Sequence, residues 1–270
     1  MLFLPPAHGH AINSQEPGMV RLLPETLPTA WLELALYLGK DFDWTELHGQ
    51  DAFVQAERAQ CATDQAFYET SQRYLYHLTQ YFLEGWKRPG YAWLMQILSQ
   101  HPAATVLDYG CGIGSDGLWF MENNIAVDFA DYDNPSRQYL AWRLAHRVGH
   151  RAQIYDLDAD IPRHGIVWCM DVLEHLPPAQ HWPFLQNLAT LGEIVVMNLV
   201  DDRTADGLVH YPVDVEGLTT ALRATWPVTA QDWWQQANGS KVRFLVYGDA
   251  MVPEPAGSQN GQAYHATVGV

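Results

Sequence analysis

Basic residues are scarce. Lys and Arg total 15 against 31 Asp and Glu, a formal net charge of −16 at pH 7. Neutralising phosphates requires the opposite balance, so nucleic acid and anionic membrane surfaces are not expected partners. A small cationic or amine-bearing molecule is compatible with it. Cysteine is scarce too. Cys61, Cys111 and Cys169 are odd in number and have no CxxC spacing, which argues against a disulfide framework or a thiolate zinc site and for a reducing compartment. Long apolar runs are missing: no stretch approaches the ~18 residues of a membrane span. The opening MLFLPPAHGHAIN has no basic region, and its apolar run stops at Pro5. Neither a span nor a secretory signal is expected, and a cytoplasmic setting follows.

What is present is the composition of a folded globule, 48% hydrophobic and 12% aromatic. Prolines at 5, 6, 17, 24 and 28 mark an irregular arm. Apolar residues then recur at helical spacing, as in Tyr74, His77, Leu78 and Tyr81. Residues 1–102 are therefore an arm and a helical segment. From Ala103 the texture changes to short apolar runs alternating with amphipathic stretches, the pattern of a doubly wound, mostly parallel sheet. Five β/α units are expected, closing in an antiparallel pair whose turn carries Asn238-Gly239. Residues 103–252 form this α/β domain. Residues 253–270 form a polar, Gly-rich tail.

The stretch VLDYGCGIGSDGLWF, Val106 to Phe120, admits two readings. Gly110, Gly112 and Gly114 make GxGxG; Gly112, Gly114 and Gly117 make GxGxxG, the dinucleotide fingerprint. Glycines after a first strand let the backbone turn tightly and approach a ligand. Two features favour the first reading. The strand runs directly into Gly110, and Gly117 falls in the next helix. Asp108, inside the strand end, suits a cationic ligand terminus and would repel a pyrophosphate.

LDYGCGIGSDG resembles motif I, (D/E)xGxGxG, of the class I S-adenosylmethionine-dependent methyltransferases, with Asp108, Gly110, Gly112 and Gly114 in its four defined positions. The resemblance implies that Asp131, beside Tyr132 at the tip of strand 2, binds the ribose hydroxyls; Asp128 is the competing acid inside that strand. It implies that Asp158, beside the Leu157 backbone, takes the adenine amino group. GIVWCMDVLEHLPP is similar to the strand 4 motif and brings Met170 to the cofactor. Cys111 lies within the loop. The match covers roughly residues 103–250 and implies a Rossmann-like, seven-stranded sheet with strand 7 antiparallel, covered by the N-terminal helices as a lid.

Methyl transfer from a sulfonium needs alignment and exclusion of water more than acid or base. Candidate acceptor-side groups are Asp171 at the strand 4 tip and Asn198 at the strand 5 tip. Tyr68, Tyr74, Tyr76 and His77 from the lid are added to these, with Tyr68 on the cofactor. Asn198 to Asp214 reads as a substrate-facing loop in which His210 is a candidate base. Asp171, Glu174 and His175 match the acid-x-x-Glu-His set that some ubiquinone-pathway O-methyltransferases use for a metal, but many metal-free relatives carry the same letters. No metal is expected, and Glu174 and His175 are read as structural. The expected activity is methyl transfer to nitrogen or oxygen of a small metabolite in specialised biosynthesis, with S-adenosylhomocysteine as product. The alternatives are an enzyme acting on the aminocarboxypropyl arm, by transfer or by cyclisation to azetidine-2-carboxylate, and a non-catalytic binding module. A nicotinamide-dependent oxidoreductase is disfavoured by Asp108.

Overall fold

The computed structural model describes residues 27–48, 50–85, 87–148, 151–201, 210–235 and 241–249. The N-terminal arm, the C-terminal tail and the Asn238-Gly239 turn lie outside them. Five helices come first: α1 (Leu27–Leu38), α2 (Gln50–Arg58), α3 (Asp64–Thr70), α4 (Arg73–Glu84) and α5 (Arg88–Gln100). There follow β1 (Val106–Tyr109), α6 (Ser115–Glu122), β2 (Val127–Asp131), α7 (Pro135–Ala145), β3 (Ile154–Asp156), β4 (His164–Cys169), α8 (Pro178–Leu191), β5 (Gly192–Asp201), α9 (Val215–Thr225), β6 (Val228–Gln235) and β7 (Lys241–Gly248).

The strands form one sheet in the order β3-β2-β1-β4-β5-β7-β6. β1 to β5 run parallel, and β7 lies antiparallel between β5 and β6. This is the Rossmann-like sheet expected, with one difference. β3 passes to β4 without a helix, so there are four β/α units before the final pair and not five. The seven residues between them include Pro162 and two acids, Asp158 and Asp160, and only Ile161 is buried against the sheet. So short a polar link has no apolar stripe for a helix to bury.

Both faces of the sheet are covered, which is why its central strands read as continuous apolar runs. α8 and α9 cover one face, packing Leu185, Leu188 and Leu222 on Leu107, Val167, Val195 and Leu245. On the other face α5, α6 and α7 pack on Phe129, Ile166, Trp168 and Phe244. α5 therefore lies in the sheet's own layer, although its sequence neighbours are the lid helices. A Cβ at Gly90 would stand 2.7 Å from Phe244 and 2.9 Å from Trp168, so the first turn of α5 sits hard against the sheet.

α1 and α4 form the lid proper. Trp31, Leu34, Leu75, Tyr76 and Leu83 enclose a third core that takes in Ile113 of the glycine loop and Tyr139 of α7. The helix-like stretch from Gln65 to Leu83 is broken at Ser71. The Ser71 amide ends α3 on Phe67 O at 2.9 Å, and the Ser71 hydroxyl accepts from Tyr74 N at 3.0 Å to start α4.

Candidate active site

The glycine loop, Asp131, Met170 and Asp171 lie at the carboxyl ends of β1, β2 and β4, with Asn198 on β5 beside them, the ligand end of an open α/β sheet. Gly110, Gly112 and Gly114 have φ of 68°, 52° and 69°, in the left-handed region that residues with a Cβ rarely occupy. The amides of Gly110 and Cys111 donate to Ala130 O at 2.9 and 3.2 Å, and that of Gly112 donates to Asp131 Oδ2 at 2.6 Å. The loop is thereby drawn across the tip of β2.

Gly117 is a glycine for a different reason. It lies in α6, where a Cβ would collide with the Phe129 ring. The two overlapping glycine patterns thus separate: the three of GxGxG set the turn, and Gly117 permits close packing of helix on strand.

Asp131 closes β2. Besides Gly112 N, its carboxylate accepts Tyr132 N at 2.7 Å through Oδ1. It is buried, and burial pushes its carboxyl up to about 6 against the pull of these amides. Asp128 faces elsewhere, accepting from Gln153 N at 2.7 Å and meeting His164 Nε2 at 3.1 Å. Tyr132 is exposed, and its phenol is raised by burial first and by Asp158 second, so the two share one rim. Asp158 is exposed just past β3, its amide on Asp156 Oδ1 at 3.1 Å, and Leu157 beside it is half-buried. The Cys111 thiol is held well above its usual range by burial and by Asp131. Met170 is buried at the end of β4.

Asp108 is an internal brace. It is buried and accepts Gly117 N at 2.9 Å, and its carboxyl is raised well above the usual range by burial, with Asp116 adding to the shift.

Asp171 and Asn198 are brought together as reciprocal partners. Asn198 Nδ2 donates to Asp171 Oδ1 at 2.7 Å, and Asp171 N donates to Asn198 Oδ1 at 2.8 Å. Asp171 holds a φ of 57°, unusual for a residue with a side chain. Its Oδ2 stands 3.1 Å from Lys87 Nζ, and the same ammonium reaches Asp116 Oδ2 at 3.1 Å. Tyr91 Oη and Trp168 Nε1 also donate to Asp116, at 2.6 and 3.1 Å. Sequence reasoning missed Lys87. The only available signal was a lysine opening a helix in a chain with few of them. Arg143 was missed as well: it joins Ile113 O at 2.8 Å and Ser115 Oγ at 3.0 Å to Glu33 of α1.

Two positions differ from expectation. Asn198 is not the end of β5, which continues three residues further to Asp201; of the loop read as Asn198 to Asp214, residues 202–209 lie outside the described residues. β4 pairs with β5 only as far as Cys169↔Met197, whereas β7 pairs on to Asp201↔Lys241. The longer partner carries the strand onward. Tyr76 does not face the cleft. Its hydroxyl accepts Asp43 N at 2.7 Å inside the lid core.

The other lid aromatics form a ladder beside the β4 tip. Tyr68 and Tyr74 rings lie 5.2 Å apart, Tyr74 stacks on His77 at 5.6 Å, and His77 on Tyr81 at 5.9 Å. Tyr74 is pushed well above its ordinary range by burial, then by Tyr68 and Asp171. Tyr68 Oη meets His175 Nδ1 at 3.1 Å. His175 and Glu174 sit in a 3-10 turn, Leu173–His175, close to the helix start expected. His210 was read apart from them, yet its ring centroid is 5.0 Å from that of His175.

The strand order, the antiparallel β7 and the GxGxG turn facing an acid on β2 define the fold of the class I S-adenosylmethionine-dependent methyltransferases, and this chain has it. Among solved structures, magnesium protoporphyrin IX methyltransferase from Synechocystis PCC 6803 with bound S-adenosylmethionine superposes with a TM-score of 0.51 at 13% identity, covering 81% of this chain and 97% of that one. In sequence the chain is similar to glycine N-methyltransferase of Homo sapiens, 27% identical over 138 residues, or 44% of this chain and 47% of that protein. It is 25% identical over 137 residues to the Oryctolagus cuniculus protein of the same name, covering 43% and 46%. The chain thus spans about half the length of the curated relatives it matches. No family model matches it.

Proposed function

We propose that the chain transfers the methyl group of S-adenosylmethionine to an oxygen or nitrogen of a small molecule, in specialised metabolism, and releases S-adenosylhomocysteine. The observation that carries this reading is Asp131, a buried carboxylate at the β2 tip oriented by the Gly112 and Tyr132 amides. Two adjacent ribose hydroxyls are the ligand groups such a fixed acceptor pair suits. Tyr132, Leu157 and Asp158 would border the adenine, and Gly110 to Gly114 with Met170 and Tyr68 the methionyl arm. The acceptor would stand at the β4 tip beside Asp171, Asn198 and Tyr74.

Lys87 bears on the acceptor's charge. Both oxygens of Asp171 are already engaged, by Lys87 and by Asn198, which leaves it poorly placed to pair with a cationic acceptor. A neutral hydroxyl or amine fits better. Displacement at the sulfonium leaves neutral sulfur, and the acceptor's lone pair forms the new bond to the methyl carbon. The protein's part is alignment and exclusion of water by the aromatic ladder.

Titration calorimetry with S-adenosylhomocysteine tests the reading. Micromolar binding is expected, weakened roughly thirtyfold or more in Asp131→Ala, which loses a charge-assisted hydrogen-bond pair. Equal binding by the variant would remove the assignment. Mass spectrometry of the nucleoside product checks the bond broken: S-adenosylhomocysteine for methyl transfer, methylthioadenosine for chemistry on the other arm.

A further inference from the structure

We propose that Glu174, His175 and His210 form a divalent-metal site at the acceptor end of the cleft, and that the ion binds an acceptor oxygen. The ligand atoms of the three side chains lie within 4.8 Å of one another. Atoms sharing one ion at ~2.0–2.2 Å stand about 3–4 Å apart, so small side-chain rotations close the site.

The fold holds these residues in place. Glu174 and His175 are adjacent in the turn after β4. His210 comes from the connection between β5 and α9 and is fixed by its neighbour, since Tyr211 N donates to Glu174 O at 2.7 Å. Glu174 is 2% exposed. Tyr68 Oη meets His175 Nδ1 at 3.1 Å. Metal-bound histidines are commonly oriented by such an outer hydrogen bond. Asp171 is not part of the set: it is engaged by Lys87 and Asn198.

Two imidazoles and one carboxylate, with no thiolate, suit a first-row divalent ion such as Zn²⁺, Mn²⁺, Fe²⁺ or Co²⁺ better than Ca²⁺ or Mg²⁺. Three protein ligands leave positions open. This inference rests on the methyl-transfer reading and narrows its acceptor to oxygen. An alcohol is a poor nucleophile until it loses its proton, and a bound cation lowers that cost. The hydroxyl proton leaves to solvent, the oxygen lone pair bonds to the methyl carbon, and the C–S bonding pair returns to sulfur. The products are a methyl ether, S-adenosylhomocysteine and one proton.

The test uses Co²⁺ as probe on the chelator-stripped full chain. Visible absorption should report one equivalent bound with a Kd in the micromolar range, displaced by Zn²⁺. His210→Ala and His175→Ala should each weaken it at least tenfold, and His146→Ala, just past α7, should not. Acetohydroxamate, a small oxygen chelator, should shift the bands by entering the open positions. Binding of S-adenosylhomocysteine is measured on the same samples. Its retention in the variants shows that they fold and that the cofactor reading stands by itself. No Co²⁺ binding, or binding that neither histidine variant weakens, overturns the site. Bands that acetohydroxamate leaves unchanged overturn its role in holding the acceptor.

Discussion

Lys87 shows how much one side chain can hold together. Its ammonium lies between Asp116 of α6 and Asp171 at the β4 tip, with its side chain 18% exposed. Burial works against the charge, but the two carboxylates overcome it and raise the lysine above its ordinary range. Removing one partner of a buried ion pair leaves the others uncompensated, at a cost of about 3 kcal/mol. Lys87→Met is expected to lower the urea midpoint accordingly, and Asp116→Asn in the same background should restore part of the loss. A wild-type midpoint in Lys87→Met would mean that water already meets these acids' needs. Asp131 differs in kind: no basic side chain is needed to hold it, because its oxygens take backbone amides.

At the scale of elements, α5 decides where the molecule can be cut. It shares the core of the sheet through Trp93, Leu94 and Ile97, whereas α1 and α4 share a separate core with Ile113 and Tyr139. A chain beginning at Pro102 strips α5 from Trp168 and Phe244 and is expected to be insoluble. One beginning at Lys87 keeps that layer and should stay folded while binding S-adenosylhomocysteine more weakly, because the lid core that props the glycine loop is lost. Circular dichroism and gel filtration of the two truncations separate these outcomes; a folded chain from Pro102 would contradict the shared core. The sequence showed the sheet because buried strands announce themselves as apolar runs between helical stretches. The glycines and Asp131 stood out through their motif spacing, and their turn and strand-tip positions are as expected, whereas Asp108, read as facing a cationic ligand terminus, is instead a buried brace that accepts Gly117 N. The sequence did not show α5 in the sheet layer, Lys87 between its two acids, or His210 beside His175. Those are contacts between residues far apart in sequence, and no local periodicity encodes them. The extra length of β5 was hidden likewise, since only its pairing with β7 creates it.

The whole molecule carries 31 acidic residues against 15 basic ones, and several of the acids are buried. Asp131 titrates at about 6 in the fold because of burial, against about 4 in an unfolded chain. A folded-state value above the unfolded one means that protonation favours folding. This contribution is complete below about pH 4 and lost as pH rises through about 6. Asp108 is displaced in the same direction, by burial first and by Asp116 second, and acidification also eases repulsion among surface acids. Without ligand, the melting temperature is therefore expected to rise as pH falls from about 8 to about 5.5. The proposed contact with the ribose hydroxyls needs the opposite state, an ionised Asp131 that accepts from both. Stabilisation by S-adenosylhomocysteine should accordingly shrink over the same range, its Kd rising toward tenfold per pH unit below about 6. Thermal melts with and without S-adenosylhomocysteine, across that range, measure both trends on one sample. Asp131→Asn keeps one acceptor oxygen without the titrating charge, so its ligand-induced shift should be smaller at neutral pH and nearly flat with pH. A ligand-induced shift that grows in acid, or that keeps its wild-type pH dependence in Asp131→Asn, would show that another group titrates with the cofactor.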